Sequence, residues 1–266
     1  FNEAQLIFVL SGTNKTEITL IEKRTKSYSN IEIIKTKKTE TVYKAWNRAI
    51  EASNAKYITN SNTDDRLSED ALEIMCNELD KNNNISLIYA NCYITDDLNP
   101  RFNKSKIVGK FDWAEFQPQN MLTGCYIGPQ PVWRSDLHKK YGLFEDEFIS
   151  AGDYEFWCRC VSNGERFHHL SKYLGLYCKR EDSIEHANKQ RAKNETLLIF
   201  LIHSKKLKLQ AQTKISVHTI GNLSKAISAF RNKKPDEALI ELDKCIALRP
   251  FHPEAVLQKI DFYLLE

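Results

Sequence analysis

No two cysteines in the 266-residue sequence stand at CxxC spacing. The seven present (Cys76, Cys92, Cys125, Cys158, Cys160, Cys178 and Cys245) are odd in number. This argues against a zinc site and a disulfide framework and leaves reduced thiols, as in a cytoplasmic chain. Long apolar runs are missing too. The longest, Leu197 to Ile202, falls far short of the ~20 residues a membrane-crossing helix needs. The expected location is therefore cytoplasmic, with peripheral membrane association as the variant. No signal peptide is visible. Charge of one sign is not in excess: 38 Lys and Arg face 35 Asp and Glu, for a net charge of +3. The lysines are scattered, and Lys35, Lys37 and Lys38 read as a solvated loop, so nucleic acid is not an expected partner. An initiator methionine is also lacking. Phe1-Asn2-Glu3 leads straight into a strand pattern and the last residues end inside an amphipathic one, which reads as a fragment of a longer protein.

What is present is an ordinary globular composition, with 42% apolar residues, enough for a packed core. Apolar runs at 5–10, 31–34, 57–59 and 87–90 read as strands. Helical spacing covers 16–28, 41–54 and a stretch after Ser68, which reads as its cap. This alternation predicts an α/β domain with helices flanking the sheet. Beyond an irregular stretch at 101–119, helices are expected at 132–141, 153–162 and 184–206, and short strands at 167–170 and 174–178. The segment 222–266 differs in kind. Three short helical patterns, with Pro235 at a helix start and Ala238, Leu242, Cys245 and Ile246 on one face, resemble a tetratricopeptide repeat. The expected division is a domain at 1–206 and a small all-α helical-repeat segment at 207–266. A lone repeat cannot bury its own face, so the segment is expected to dock on the main domain or on a protein partner.

Two stretches carry chemistry. In the first, a buried strand (Tyr57-Ile-Thr59) delivers Asn62, Asp64 and Asp65 to its C-terminal end, where ligands bind in open α/β sheets. Two carboxylates and an amide oxygen within four residues suit Mg²⁺ or Mn²⁺ with phosphate oxygens completing the shell. An acidic turn before a helix has the same composition. In the second stretch, Gly152 and Asp153 open a helix whose Phe156, Trp157 and Cys160 face inward. Asp153 is either a cap at the helix dipole or a general base, and spacing alone leaves both roles open. His168 and His169 are adjacent, so on a strand they point to opposite faces, and both read as structural.

The pairing of Asn62-Thr-Asp-Asp-Arg-Leu67 with Gly152-Asp-Tyr-Glu-Phe-Trp157 resembles the family 2 glycosyltransferases of GT-A fold. Tyr43-Lys-Ala-Trp-Asn47, Leu87-Ile-Tyr-Ala-Asn91, Gly128-Pro-Gln-Pro-Val-Trp-Arg134 and Tyr141-Gly-Leu-Phe144 agree in order and spacing, so that the resemblance covers about 5–190. It implies a Rossmann-like mixed sheet and metal-dependent, inverting transfer of a hexosyl group. The donor would be a nucleoside-diphosphate sugar and the acceptor a hydroxyl of a glycan, lipid-linked or protein molecule. It implies Asn62 and Asp64 as metal ligands, with His186 as a third from the loop after the last strand. It implies Asp153 as base, with Glu155 the nearest competitor for that role, and Ser11, Tyr43, Asn47 and Asp65 on the nucleotide-sugar. Gln130, Trp133 and Glu155 would line the acceptor side, with Trp133 equally able to be core. Three departures stand out. The family's first strand is absent, Ser11-Gly12 replaces its base-reading aspartate, and Asn62 replaces an aspartate at the first metal position, removing one charge. An inactive sugar- or nucleotide-binding domain and a repeat-mediated interaction protein are the rival readings.

Overall fold

The computed structural model describes residues 4–180 and 189–210, together with the single positions 225, 237, 240 and 241. His186 and almost all of the expected repeat lie outside the described residues.

The first half alternates as its apolar periodicity dictates. β1 (Leu6–Ser11), α1 (Lys15–Thr25), β2 (Ile31–Thr36), α2 (Val42–Ala52) and β3 (Tyr57–Thr59) follow one another. Asn14 caps α1 through the Glu17 N–H and Thr41 caps α2 through the Lys44 N–H; each satisfies a donor that the helix itself leaves unpaired. After β4 (Arg66–Leu67) comes α3 (Ala71–Lys81), then β5 (Leu87–Thr95) and β6 (Gly109–Phe111). Ser68 does not cap α3 as expected: Asp70 occupies the cap position without a side-chain bond, and the Ser68 hydroxyl donates to Asp70 Oδ1 at 2.7 Å.

A short 3₁₀ turn (Pro118–Leu122) precedes β7 (Val132–Arg134), α4 (Asp136–Tyr141), α5 (Gly152–Ser162), β8 (Phe167–Cys178) and α6 (Lys189–Gln210). The stretch expected as a helix over 132–141 thus opens as a strand, and only Asp136–Tyr141 is helical. Val132-Trp133-Arg134 is inserted between β3 and β5, antiparallel to both, and the bonds on its two edges outweigh its local helical spacing. The two short strands expected at 167–178 are one strand of 12 residues, its register against β5 shifted at Ala90/Asn91 and Asn91/Cys92. α6 runs on to Gln210, so the expected boundary at 206 falls inside a helix.

β1 and β2 pair in parallel as one small sheet; the other sheet is six-stranded, in the order β3-β7-β5-β8-β4, with β6 added on β5. β5 runs parallel to β8 and, through antiparallel β7, parallel to β3. The C-terminal ends of β3, β5 and β8 therefore share one edge. α5 leads through a short turn into the start of β8, so it runs back along the sheet with Gly152 toward that same edge. The core is aromatic: Trp133, Trp157, Tyr89 and Phe156 are fully buried, and Phe144 packs edge-on against Trp133 and Trp157. Such contacts add about 0.5–1.5 kcal/mol each beyond area burial.

Candidate active site at the strand ends

The loop leaving β3 is pinned before it reaches its carboxylates. Asn60 Nδ2 donates to the Pro129 carbonyl at 2.7 Å, which ties the loop to the segment entering β7. Asp65 is turned inward. Its Oδ1 accepts the Cys178 N–H at 3.0 Å, joining the loop to the end of β8, and its Oδ2 accepts from Asn62 Nδ2, also at 3.0 Å. Burial pushes the Asp65 carboxyl above its usual value, against those two bonds. Each oxygen thus accepts one internal bond, and Asp65, 3% exposed, shapes the loop from within. Asp64 points outward, half-exposed, with its carboxylate 4.0 Å from the Arg180 guanidinium just past β8. Asn62 spends its N–H on Asp65 and keeps its amide oxygen for another partner.

Across the edge, α5 begins at Gly152 directly against Tyr43. A Cβ on Gly152 would sit 2.7–2.8 Å from the tyrosine ring, so only glycine lets α5 start this close to α2. The Tyr43 hydroxyl donates to Asp153 Oδ1 at 3.0 Å. Burial, then the charge of Asp153, holds that phenol protonated, far above its usual range. Tyr43 is buried and its polar tip serves the carboxylate of Asp153.

Other expected site residues are placed differently. Asn47 is buried, and its amide clasps Phe144 from both sides, Nδ2 to the carbonyl at 2.8 Å and Oδ1 from the N–H at 3.0 Å; it holds the 144–151 segment to α2 instead of facing a donor. Ser11 accepts the Glu40 N–H at 2.7 Å and so fixes the loop into α2. Trp133 is core, its indole N–H on His138 Nε2 at 3.0 Å. Glu155 faces away from Asp153, buried against Arg159 and, at 3.2 Å, His203. Gln130 is buried as well. Its Oε1 has no protein partner and lies 2.6 Å from where a Cβ on Gly175 would be, in the small space that also touches Cys92 and Gly128.

Sequence reading missed two groups. Arg180 had one signal, a basic pair at a strand end. Glu195, which binds the loop before Asp153, had none, since nothing local in a helix tells what its far face will meet. Among the described residues, no three His, Cys, Asp or Glu side chains converge as a metal cluster, and no helix is long and apolar enough to cross a membrane.

A family model described as Glycosyl transferase family 2 matches residues 2–141, which includes the Asn62–Asp65 loop. The chain belongs to glycosyl transferase family 2. Among curated relatives, it is 24% identical over 147 residues to the uncharacterized glycosyltransferase MJ1057 of Methanocaldococcus jannaschii, covering 54% of this chain and 50% of the relative. It is 31% identical over 138 residues to the uncharacterized protein y4gI of Sinorhizobium fredii, covering 49% of this chain but 14% of that one. The chain thus spans half or less of the curated relatives it matches. Among solved structures, TarS 1–349 of S. aureus in complex with UDP-GlcNAc superposes with a TM-score of 0.59 at 13% identity, over 92% of this chain and 72% of that one. The UDP complex of the same protein gives 0.56 at 15% identity, over 98% and 80%. At such identity the likeness speaks for the fold, which is mixed α/β and GT-A-like.

Proposed function

We propose that this chain is the catalytic domain of a glycosyltransferase that moves a hexosyl group from a nucleoside-diphosphate sugar to an acceptor hydroxyl. The observation that carries the reading is Asp153. It opens α5 at the strand-end edge, fixed by the Tyr43 hydroxyl, while Asp64 stands at the end of β3 on the same edge. UDP-GlcNAc, bound by the structurally similar TarS, is the first donor to test.

Asp153 would accept the proton of the attacking hydroxyl, with Tyr43 orienting the carboxylate. One carboxylate acting on an incoming hydroxyl fits a single displacement, hence inversion at the anomeric carbon. The donors at the β3 end fit a hard divalent cation sparingly: the Asp64 carboxylate and the Asn62 amide oxygen, with Asp65 buried behind them. Mg²⁺ or Mn²⁺ on so few protein ligands would rely on diphosphate oxygens to complete its shell. When bound, the ion would offset the charge growing on the leaving diphosphate. Arg180, beside Asp64, supplies a fixed positive charge at the same place.

The test is hydrolysis and transfer from UDP-GlcNAc with and without Mn²⁺. Asp153→Asn should lower turnover by ~10²–10⁴ and leave UDP binding intact. Asp64→Ala should abolish the Mn²⁺-dependent part of UDP affinity in calorimetry. Normal turnover in Asp153→Asn would remove the base assignment. A second reading, an inactive sugar-nucleotide binder, draws on Asn62 in place of a carboxylate; it predicts Mn²⁺-independent UDP binding with no donor cleavage.

A further inference from the structure

The loop that delivers Asp153 has an unusual support. The N–H groups of Ile149, Ser150 and Ala151 all donate to one carboxylate, that of Glu195 on α6, at 2.9, 2.9 and 3.0 Å. α5 begins at the next residue, and its own cap position, Ala151, offers no side-chain bond. Donors at and just before a helix start need a partner, and here it comes from more than forty residues along the chain. Arg191, one turn before Glu195, holds the carboxylate at 3.0 Å through Nε, and its Nη2 reaches the Glu147 carbonyl at 2.9 Å. On the opposite side, Thr41 of the α2 cap donates to the Asp146 carbonyl at 2.9 Å, and Asn47 clasps Phe144. Residues 144–151 are therefore gripped by α2 from one side and α6 from the other, and Asp153 lies at the exit.

We propose that Glu195 is a positioning residue for Asp153: by gathering the three amides of 149–151 it sets the start of α5 against Tyr43 and so the direction of the Asp153 carboxylate. The proposal rests on the assignment of Asp153 as base. Little slack exists for any other placement, because Gly152 already abuts the Tyr43 ring. If the 149–151 amides let go, α5 can shift only away from Tyr43, which lengthens the Tyr43–Asp153 bond. A group misplaced by about 1 Å loses up to ~10²-fold in rate. Burial alone would raise the Glu195 carboxyl, but the three N–H groups and Arg191 outweigh it and hold it below the usual value. The charged form that the amides need is thus the one present near neutrality.

The experiment compares the wild-type chain with Glu195→Gln, which keeps the volume but turns an NH₂ group toward N–H donors. We expect hydrogen exchange of the 149–151 amides to quicken at least ~10-fold, and kcat for UDP-GlcNAc hydrolysis to fall ~10–10²-fold with KM unchanged. A purely structural role would quicken that local exchange too, but would leave kcat of the folded protein in place, so the fall in kcat at unchanged KM is what decides. His203→Gln loosens the α5–α6 contact at Glu155, away from the loop, and should lower Tm while leaving kcat in place. Normal kcat in Glu195→Gln, or a loss matched by His203→Gln, overturns the proposal. Should Glu195→Gln fail to fold, Arg191→Gln frees the carboxylate from its holder. It should show the same two changes more weakly, and no change in either overturns the proposal as well. The two readings fail separately. Turnover that survives Asp153→Asn removes the base and this inference with it. Turnover lost in Asp153→Asn but kept in Glu195→Gln removes this inference alone.

Discussion

Asp65 in the β3 loop and Glu155 and Glu195 around α5 are all buried, at 3%, 5% and 8% exposure, yet their carboxyls move in opposite directions. Asp65 meets only neutral donors, one backbone N–H and one side-chain amide, and burial wins, so its carboxyl is raised. Glu155 suffers the same burial but touches His203 and Arg159, and Glu195 meets three amides and Arg191; in both, the partners outweigh burial and the carboxyl is lowered. Depth does not set the charge of a hidden carboxylate. The number and charge of the donors around it do. The β3 loop is shaped by a group that is costly to ionise, while the α5 start is held by groups that must stay ionised to work.

Removing one side of the α5 arrangement should show the largest effect. Glu155→Gln leaves Arg159, only 19% exposed, without its close carboxylate, and should cost about 3 kcal/mol in urea unfolding. Because Glu155 faces away from Asp153, donor hydrolysis by the folded fraction should persist. Acid comes next. Both Glu155 and Glu195 have folded values below the ordinary 4.5. Their contribution is present above that value and disappears as pH falls through the folded values. The urea midpoint, followed by tryptophan fluorescence, should therefore drop as pH falls below 4.5, and Glu195→Gln should make that drop shallower. An unchanged slope would mean that Glu195 is not linked to α5 stability.

At the β3 loop the same kind of substitution should do little. Asp65→Asn still offers an oxygen to the Cys178 N–H and removes a buried charge, so in metal-free protein it should lie within about 1 kcal/mol of wild type. A loss as large as that of Glu155→Gln would erase the contrast between the two sides. The smallest effect is expected where nothing is hidden at all. α1 buries no residue and Leu20 is 47% exposed, so Leu20→Ala should stay within about 0.5 kcal/mol.

Several of these features were legible from local pattern. The order of elements through β3, the strand that carries Asn62–Asp65 and the inward Phe156 and Trp157 of α5 all follow from short-range periodicity, which backbone geometry imposes on any amphipathic segment. Val132-Trp133-Arg134 was read wrongly because two neighbouring strand edges, invisible in its own ten residues, decided its state. The three acceptor-side residues fared alike: Gln130, Trp133 and Glu155 carry polar or aromatic groups that could face a substrate, and each is buried.

By itself, the sequence determined which chemical groups stand near one another along the chain: a strand ending in Asn62, Asp64 and Asp65, and a helix opening on Gly152 and Asp153. Tertiary structure alone decided which of them are available. Asp65 turns in and Asp64 stays outward because the end of β8 offers the Cys178 N–H to Asp65 and Arg180 to Asp64. Asp153 gained Tyr43 as its partner across 110 positions, and its loop gained Glu195 across 44–46. Hydrogen bonds and charge act over a few ångströms of space whatever the separation in sequence, so such partners exist only once the sheet and α6 have brought the chain back on itself.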